Sequence, residues 1–390
     1  MRTYRELFRT PEFKPFFAST ALNVAAQTVS GLALGTLIYD ATGSPLLSAL
    51  AIFGPSLAQV VGMTTLLAAA DRLPPRAALA GLGWIFAAGT AAQAMPGQPV
   101  FVAFSILFVV GVVSSVGGGV RWGLLNQLLS KDGYLLGRSV LNMSVGVMQI
   151  CGFATGGVLV AVLSPRGALL TGAALYCGSA VVAGCFLTRR APRSTQRVSV
   201  AVTWRNNREL LSPVQRRRVF LALWLPNGLI VGCESLFVAY SPTYSGLLFA
   251  AAACGMLVGD TLAGRFRPQR LAVGLYLLLA APYLVFFLRP PLTLAVAAVA
   301  VSAVGYSASL LMQERLMALT PDKLSGQALG LHSSGMLVMQ GVAAALAGGI
   351  AQLTSPALSM SVMAAASLVV TCALARGLRT GSKSAQLVST

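Results

Sequence analysis

Glu234 is the residue of this chain whose type and place most demand a chemical explanation. It lies 16 residues beyond Arg218 inside an otherwise apolar run. A helix rises 1.5 Å per residue, which would carry that carboxyl about 24 Å from the basic end of the run. A charge so far from bulk water costs about 2.5–3.5 kcal/mol on insertion scales, so such residues usually face a cavity or an ion path. Burial favours the neutral acid, and water or a cation entering a cavity favours the carboxylate, so one side chain could load and release a proton in each cycle. The alternative is a Glu held protonated and hydrogen-bonded between helices.

Other polar residues recur on helical faces. Asn23, Gln27 and Ser30 follow i, i+4, i+7, Asn227 and Glu234 stand two turns apart, and Ser302, Tyr306, Ser309 and Gln313 form a four-member stripe. Polar stripes on apolar helices must meet one another or water, so these residues are expected to face neighbouring helices or to line a substrate cavity. Asn142 with Gln149, and His332 with Gln340, extend the pattern more weakly. His332 is the single histidine and begins its run, where an interfacial hydrogen bond competes with a proton-relay role. Asp260 and Glu314 lie near Arg265 and Arg315 and read as paired structural charges.

Nothing in the sequence supports catalysis. There is no HExxH, no Walker lysine loop and no GxSxG. No metal and no cofactor is expected. Cys151, Cys177, Cys185, Cys233, Cys254 and Cys372 all fall within apolar runs, without metal-ligand spacing, and imply no disulfide framework. With no nucleotide-binding segment, any transport must draw on an ion gradient or on the substrate's own gradient.

Composition sets the elements that hold these residues. The chain is 56% hydrophobic and 10% charged, far below the roughly 25% charged content of a soluble domain. Its mean hydropathy is +0.76, and both values describe a polytopic membrane protein. A run of roughly 20 apolar residues crosses a hydrocarbon core of about 30 Å. Twelve such runs lie near 14–38, 45–70, 76–95, 99–120, 137–163, 167–188, 218–240, 246–264, 271–288, 292–313, 327–351 and 357–376. Lipid offers backbone groups no partner, so the runs are expected to be helices and the fold all-α. The absence of polar and apolar alternation argues against an outer-membrane barrel.

A net charge of +18 could signal a nucleic-acid partner, but the placement of the charges argues against one. With the N-terminus inside, 26 of the 28 Lys and Arg residues fall on the cytoplasmic side, leaving only Arg166 and Arg289 outside. That bias, with an even number of spans, puts both termini in the cytoplasm. Residues 189–217 form the one long connection and divide the chain into six-helix halves, 1–188 and 218–390. From Arg189 to Arg218 there are nine arginines against one acid, Glu209. The stretch either sets topology alone or also binds anionic membrane lipid head groups. The N-terminus runs from Met1 to Lys14 into a full-length apolar run with no cleavage site, so the first helix is read as retained. A monomer is expected.

The second half repeats the first. Arg72 and Arg265, each closing an apolar run, are 193 residues apart, as are Arg121 and Glu314. Gly156-Gly157 and Gly348-Gly349 each follow a Val-Met-Gln, at a separation of 192. Duplicated membrane halves suit a transporter, in which two similar bundles rock about a shared midplane site.

The run from Leu67 to Arg76 resembles the loop between helices two and three of the major facilitator superfamily. Asp71 and Arg72, followed by Arg76, keep its charged core; Leu67 replaces the usual Gly, and Pro75 and Ala77 stand where the motif has Gly or a further basic residue. An acid at a helix end beside two arginines can pair differently in two open states and so bias their equilibrium. The plainer reading is that Arg72 and Arg76 only hold the loop inside. Arg265 and Arg270 are their counterparts in the second half. Gly146 followed by Gly152-Phe153-Ala154-Thr155-Gly156-Gly157 looks like the fifth-helix signature of the superfamily's drug:proton antiporters, with Phe153 where the signature has Pro. Gly152, Gly156 and Gly157 also suit ordinary close helix packing of the GxxxG kind. The antiporters carry an Arg well inside helix four; here the run Phe101 to Val120 is uncharged and Arg121 sits at its cytoplasmic end, so that role is not carried over.

The resemblance implies a major facilitator fold and a secondary transporter of the cytoplasmic membrane. Its implied activity is proton-coupled efflux of a small amphiphilic organic compound, because the expected cavity holds many apolar side chains and few fixed charges. An importer or facilitator of a small metabolite is the first rival. A non-transporting receptor or assembly protein is the second, disfavoured by the absence of a soluble domain to receive a partner.

Overall fold

Apolar runs of this length leave the backbone little choice but helix. A computed structural model describes residues 4–66, 72–129, 131–191, 200–265, 271–321 and 324–386, and every regular element among them is helical. The α-helices are α1 (Tyr4–Arg9), α2 (Phe13–Thr42), α3 (Pro45–Thr65), α4 (Pro75–Gln93), α5 (Val100–Leu128), α6 (Lys131–Phe186), α7 (Val200–Leu211) and α8 (Val214–Glu234). They continue with α9 (Phe237–Tyr240), α10 (Ser245–Arg265), α11 (Ala272–Ala280), α12 (Leu292–Val304), α13 (Ala308–Ala318), α14 (Ser325–Leu353) and α15 (Pro356–Gln386). The chain forms two compact units, Met1–Val198 with Ser241–Ala250, and Ser199–Tyr240 with Ala251–Thr390.

Among the described residues nine helical segments are long and apolar enough to cross a membrane, against the twelve runs expected. The difference has local causes. The runs 137–163 and 167–188 are two helices that abut at a kink, Ser164, where φ is 77° before Pro165, and they share the label α6 and count once among the nine. The run 271–288 divides between α11 and a 3-10 segment, Ala281–Leu288, with Pro282 near its start. Helix α4 contains Arg76 and many Ala and Gly, and so is less apolar than its neighbours. Large apolar side chains lie exposed on the long helices, with Phe101 at 71%, Val162 at 73% and Leu353 at 87%. Such surface is unfavourable in water and is the solvated face in lipid, so this is a multi-pass membrane protein.

In the first unit α2 lies along α6. A Cβ at Gly152 would overlap the Thr28 side chain, and one at Gly156 would meet Val29 Cα at 3.3 Å, so small residues set the helix separation. Ser19 and Ser179 tie the same helices together: their hydroxyls lie 3.0 Å apart, and each donates to the other's carbonyl, at 3.1 and 2.8 Å. Leu7, Phe13 and Phe16 pack with Leu124, Leu125, Leu129 and Leu141 in one buried cluster. Beside it Arg190 pairs with Glu12 at 3.0 Å, and the Thr188 hydroxyl donates to the same oxygen at 2.7 Å. Burial pushes the Glu12 carboxyl up, but the bonds from Thr188 and Arg190 and the Arg190 charge outweigh it and leave the group below its ordinary value.

In the second unit a helix, α7, lies within the segment 189–217 that reads as a loop. Gln327 of α14 clasps it: its Nε2 donates to Thr203 O and to Asn207 Oδ1, both at 2.9 Å, and its Oε1 accepts from Asn206 at 2.8 Å. Pro226 stands inside α8, where it cannot donate to the helical ladder. Its carbonyl accepts from the Ser367 hydroxyl of α15 at 3.2 Å.

Candidate functional site

Helix α8 ends at Glu234. The next amides tighten the turn, Ser235 N–H reaching Val231 O at 2.9 Å and Leu236 N–H reaching Cys233 O at 3.1 Å, before the short α9 begins. The break leaves Glu234 inside the second unit at 5% exposure, the one buried carboxylate among the described residues. Its partner comes from the 3-10 turn Gly305–Ser307 between α12 and α13. Gly305 is required there, because a Cβ would come within 2.7 Å of Leu279 Cα. From that turn the Tyr306 hydroxyl donates to Glu234 Oε1 at 3.1 Å. No cation among the described residues pairs with Glu234. Tyr283, 1% exposed, keeps an unpartnered hydroxyl in the same region.

Two turns earlier Asn227, 1% exposed, donates to Leu223 O at 2.7 Å and to Ser309 Oγ at 2.9 Å, while its Oδ1 has no partner. The buried Tyr276 hydroxyl lies close to both side chains. One turn further along α13, Gln313 Nε2 lies 3.3 Å from His332 Nε2, and Trp224 Nε1 donates to His332 O at 3.1 Å. The stripes on α8 and α12–α13 therefore meet one another, with Tyr306 on Glu234 and Ser309 on Asn227. Ser302 stands apart from them: it is fully buried, and its hydroxyl donates to Leu279 O of α11.

The first unit brings together less of the expected lining. Asn23 is half-buried and lines a pocket with Ser19, Thr20 and Arg121, whereas Gln27 is exposed and Ser30 is buried with an unpartnered hydroxyl. Gln149 of α6 and Gln340 of α14 are half-buried, and the Asn142 side chain lies outside the described residues. Gly157 and Gly246 pack backbone to backbone, a Cβ at Gly157 meeting Gly246 Cα at 3.0 Å. Phe153, at the place of the signature Pro, stacks on Phe249 with ring centroids 4.6 Å apart. Of the charged loop, Arg72 is exposed and Arg76 half-buried; Asp71, Arg270 and the Arg265 side chain lie outside the described residues.

Arg121 is the residue that the sequence reading misplaces. The apolar run ends at Val120, but the helix continues to Leu128, and Arg121 lines the interior pocket two turns before its end. The extension is held by Leu124 and Leu125, 2% and 0% exposed. Their spacing after Val120 and Arg121 was the available signal.

These groups can bind, orient and exchange a proton, and they offer no nucleophile paired with a base. The sequence profile of the Major Facilitator Superfamily matches residues 16–249. The chain belongs to that superfamily. It is accordingly a membrane transporter rather than an enzyme. No curated protein matches the sequence. Among solved structures it is similar to a POT family transporter in complex with 5-aminolevulinic acid, with 12% identity over 94% of this chain and 96% of that one and a TM-score of 0.75. It is similar to the nucleoside transporter NupG, with 12% identity over 94% and 99% and a TM-score of 0.74. A bacterial homolog of the human lysosomal transporter Spinster shares 16% identity over 98% of each chain at a TM-score of 0.72. At these identities the likeness is one of superfamily fold.

Proposed function

We propose that the chain is a proton-coupled secondary transporter that exports a small amphiphilic organic compound by alternating access. The observation that carries this reading is Glu234, a buried carboxyl whose hydrogen-bond partner is the neutral Tyr306 hydroxyl rather than a cation. An arginine at that distance would fix the carboxylate in its charged form. A tyrosine hydroxyl can donate to either protonation state, so it orients the group without fixing its charge. Asn227, Tyr306, Ser309, Gln313 and Gln340 in the second unit, and Asn23, Gln27 and Gln149 in the first, are proposed as polar contacts for the substrate, whereas Ser302, spent on Leu279 O, is not.

The reading places the chain in the cell membrane as a monomer with both termini cytoplasmic. It takes α6 as two crossings at its Ser164 break and counts α4 and Ala272–Leu288 as crossings, which makes twelve in two six-helix halves, 1–188 and 218–390, joined by the basic segment 189–217. Asp71, Arg72, Arg76, Arg265 and Arg270 form the gating loops.

A retention screen tests it. Cells carrying the chain should retain less of at least one amphiphilic compound than cells lacking it, and collapsing the proton gradient should abolish the difference. Cells that instead lose the ability to use a nutrient when the chain is removed would favour import and contradict the export direction.

A further inference from the structure

The pocket around Arg121 in the first unit holds hydrogen-bond donors that its own wall does not use. Ser19, Thr20, Asn23, Gly117, Arg121 and Ser179 supply its polar wall. The hydroxyl donors of that wall are already committed: Ser19 and Ser179 donate to each other's carbonyls, and Thr20 donates to Phe16 O at 2.9 Å. Arg121 uses only Nε, on Gly117 O at 3.4 Å, leaving the donors of its two terminal nitrogens. The half-buried Asn23 amide makes no hydrogen bond among the described residues. The unspent donors of the pocket thus belong to one guanidinium and one amide, and Leu79, Leu82 and Phe86 complete its lining.

Arg121 also has no carboxylate partner among the described residues of this unit, where Glu12 is engaged by Arg190. A guanidinium inside a helical bundle is costly unless something of opposite charge reaches it. We propose that the Arg121 guanidinium and the Asn23 amide together bind one small monovalent anion inside the first unit. The guanidinium supplies the charge and a planar pair of donors, which suits a carboxylate and also accommodates a halide. The anion is either a free inorganic ion or the carboxylate of the transported compound, and only the second source rests on the transport reading above.

The test is a melting measurement on the full-length purified protein in detergent, with sodium chloride or sodium acetate titrated separately at constant ionic strength. A bound anion raises the melting temperature saturably, because it stabilises the folded form alone. We expect a saturable rise in the wild type that is absent in Arg121→Gln, and a midpoint about fivefold higher in Asn23→Ala, the effect of one lost hydrogen bond. Saturation by chloride below about 0.15 M would identify a free inorganic ion as the source. A response to acetate alone would identify a carboxylate. No saturable response in the wild type, or an equal response in Arg121→Gln, would overturn the proposal. Should Arg121→Gln fail to fold, Asn23→Ala decides, an unchanged midpoint overturning it. Melting requires no transport, so a negative result here leaves the Glu234 reading standing.

Discussion

The Tyr306 hydroxyl donates to Glu234 Oε1 at 3.1 Å, joining the broken end of α8 to the 3-10 turn between α12 and α13. Both residues stand where a helix is interrupted, which frees them from the regular side-chain directions of a continuous helix. Tyr306→Phe keeps the ring and removes the donor. The expected result is a loss of about 1 kcal/mol in stability and a slower proton-driven step with substrate binding retained. Melting curves and paired binding and transport assays check both parts; unchanged transport would make the bond merely structural.

Helix α2 approaches α6 so closely at Gly152 that no side chain fits against Thr28. Gly152→Ala should destabilise the protein by about 1–3 kcal/mol through overpacking. A melting temperature equal to the wild type would mean that the two helices have slack at this contact.

The Glu12–Arg190 pair carries a pH signature. Glu12 is held below its ordinary value, so its contribution is fully present above the unfolded carboxylate value, about 4.3, and is lost as pH falls through the lower folded value. With both side chains partly exposed, Glu12→Gln should cost only about 0.2–1 kcal/mol near pH 7. The difference between variant and wild type should shrink below pH 4 or so. Melting curves across that range check the sign, and a gap that widens on acidification would contradict it.

Asp71 is proposed to bias the open states rather than to touch substrate. Asp71→Asn should then lower the transport rate while leaving substrate affinity within about twofold of the wild type. Equal losses in rate and in affinity, measured side by side, would contradict that division of roles.

Much of this molecule can be read from sequence because lipid imposes a simple rule on composition. The apolar runs, the deep Glu234 and the meeting of the stripes on α8 and α13 all follow from helical periodicity in a medium that penalises unpaired polar groups. What periodicity misses is where a helix stops being regular. The Ser164 kink is legible, because Ser164-Pro165-Arg166 parts two apolar runs, but Gly305–Ser307 winds as a 3-10 turn and α8 breaks at Glu234 without ending their runs. Arg121 was misplaced for a related reason: a run counted by hydrophobicity ends at the first charge, whereas the helix ends where packing ends, beyond the buried Leu124 and Leu125. Ser302 lies on the expected stripe yet is spent on the Leu279 carbonyl, because a hydroxyl facing a neighbouring helix satisfies the same rule as one facing a cavity.

The central claim is that the buried Glu234 couples substrate movement to protons, and the measurement that addresses it is transport by Glu234→Gln in proteoliposomes with an imposed proton gradient. Gln keeps the shape of the side chain and an oxygen to accept from Tyr306 but cannot titrate. The account predicts that the wild type concentrates its substrate against a gradient only while the proton gradient lasts. Glu234→Gln should bind the substrate and exchange it down its own gradient, yet fail to concentrate it. A Gln variant that concentrates substrate as the wild type does, or a wild type indifferent to collapse of the proton gradient, would contradict the account and leave Glu234 as a hydrogen-bonded packing residue.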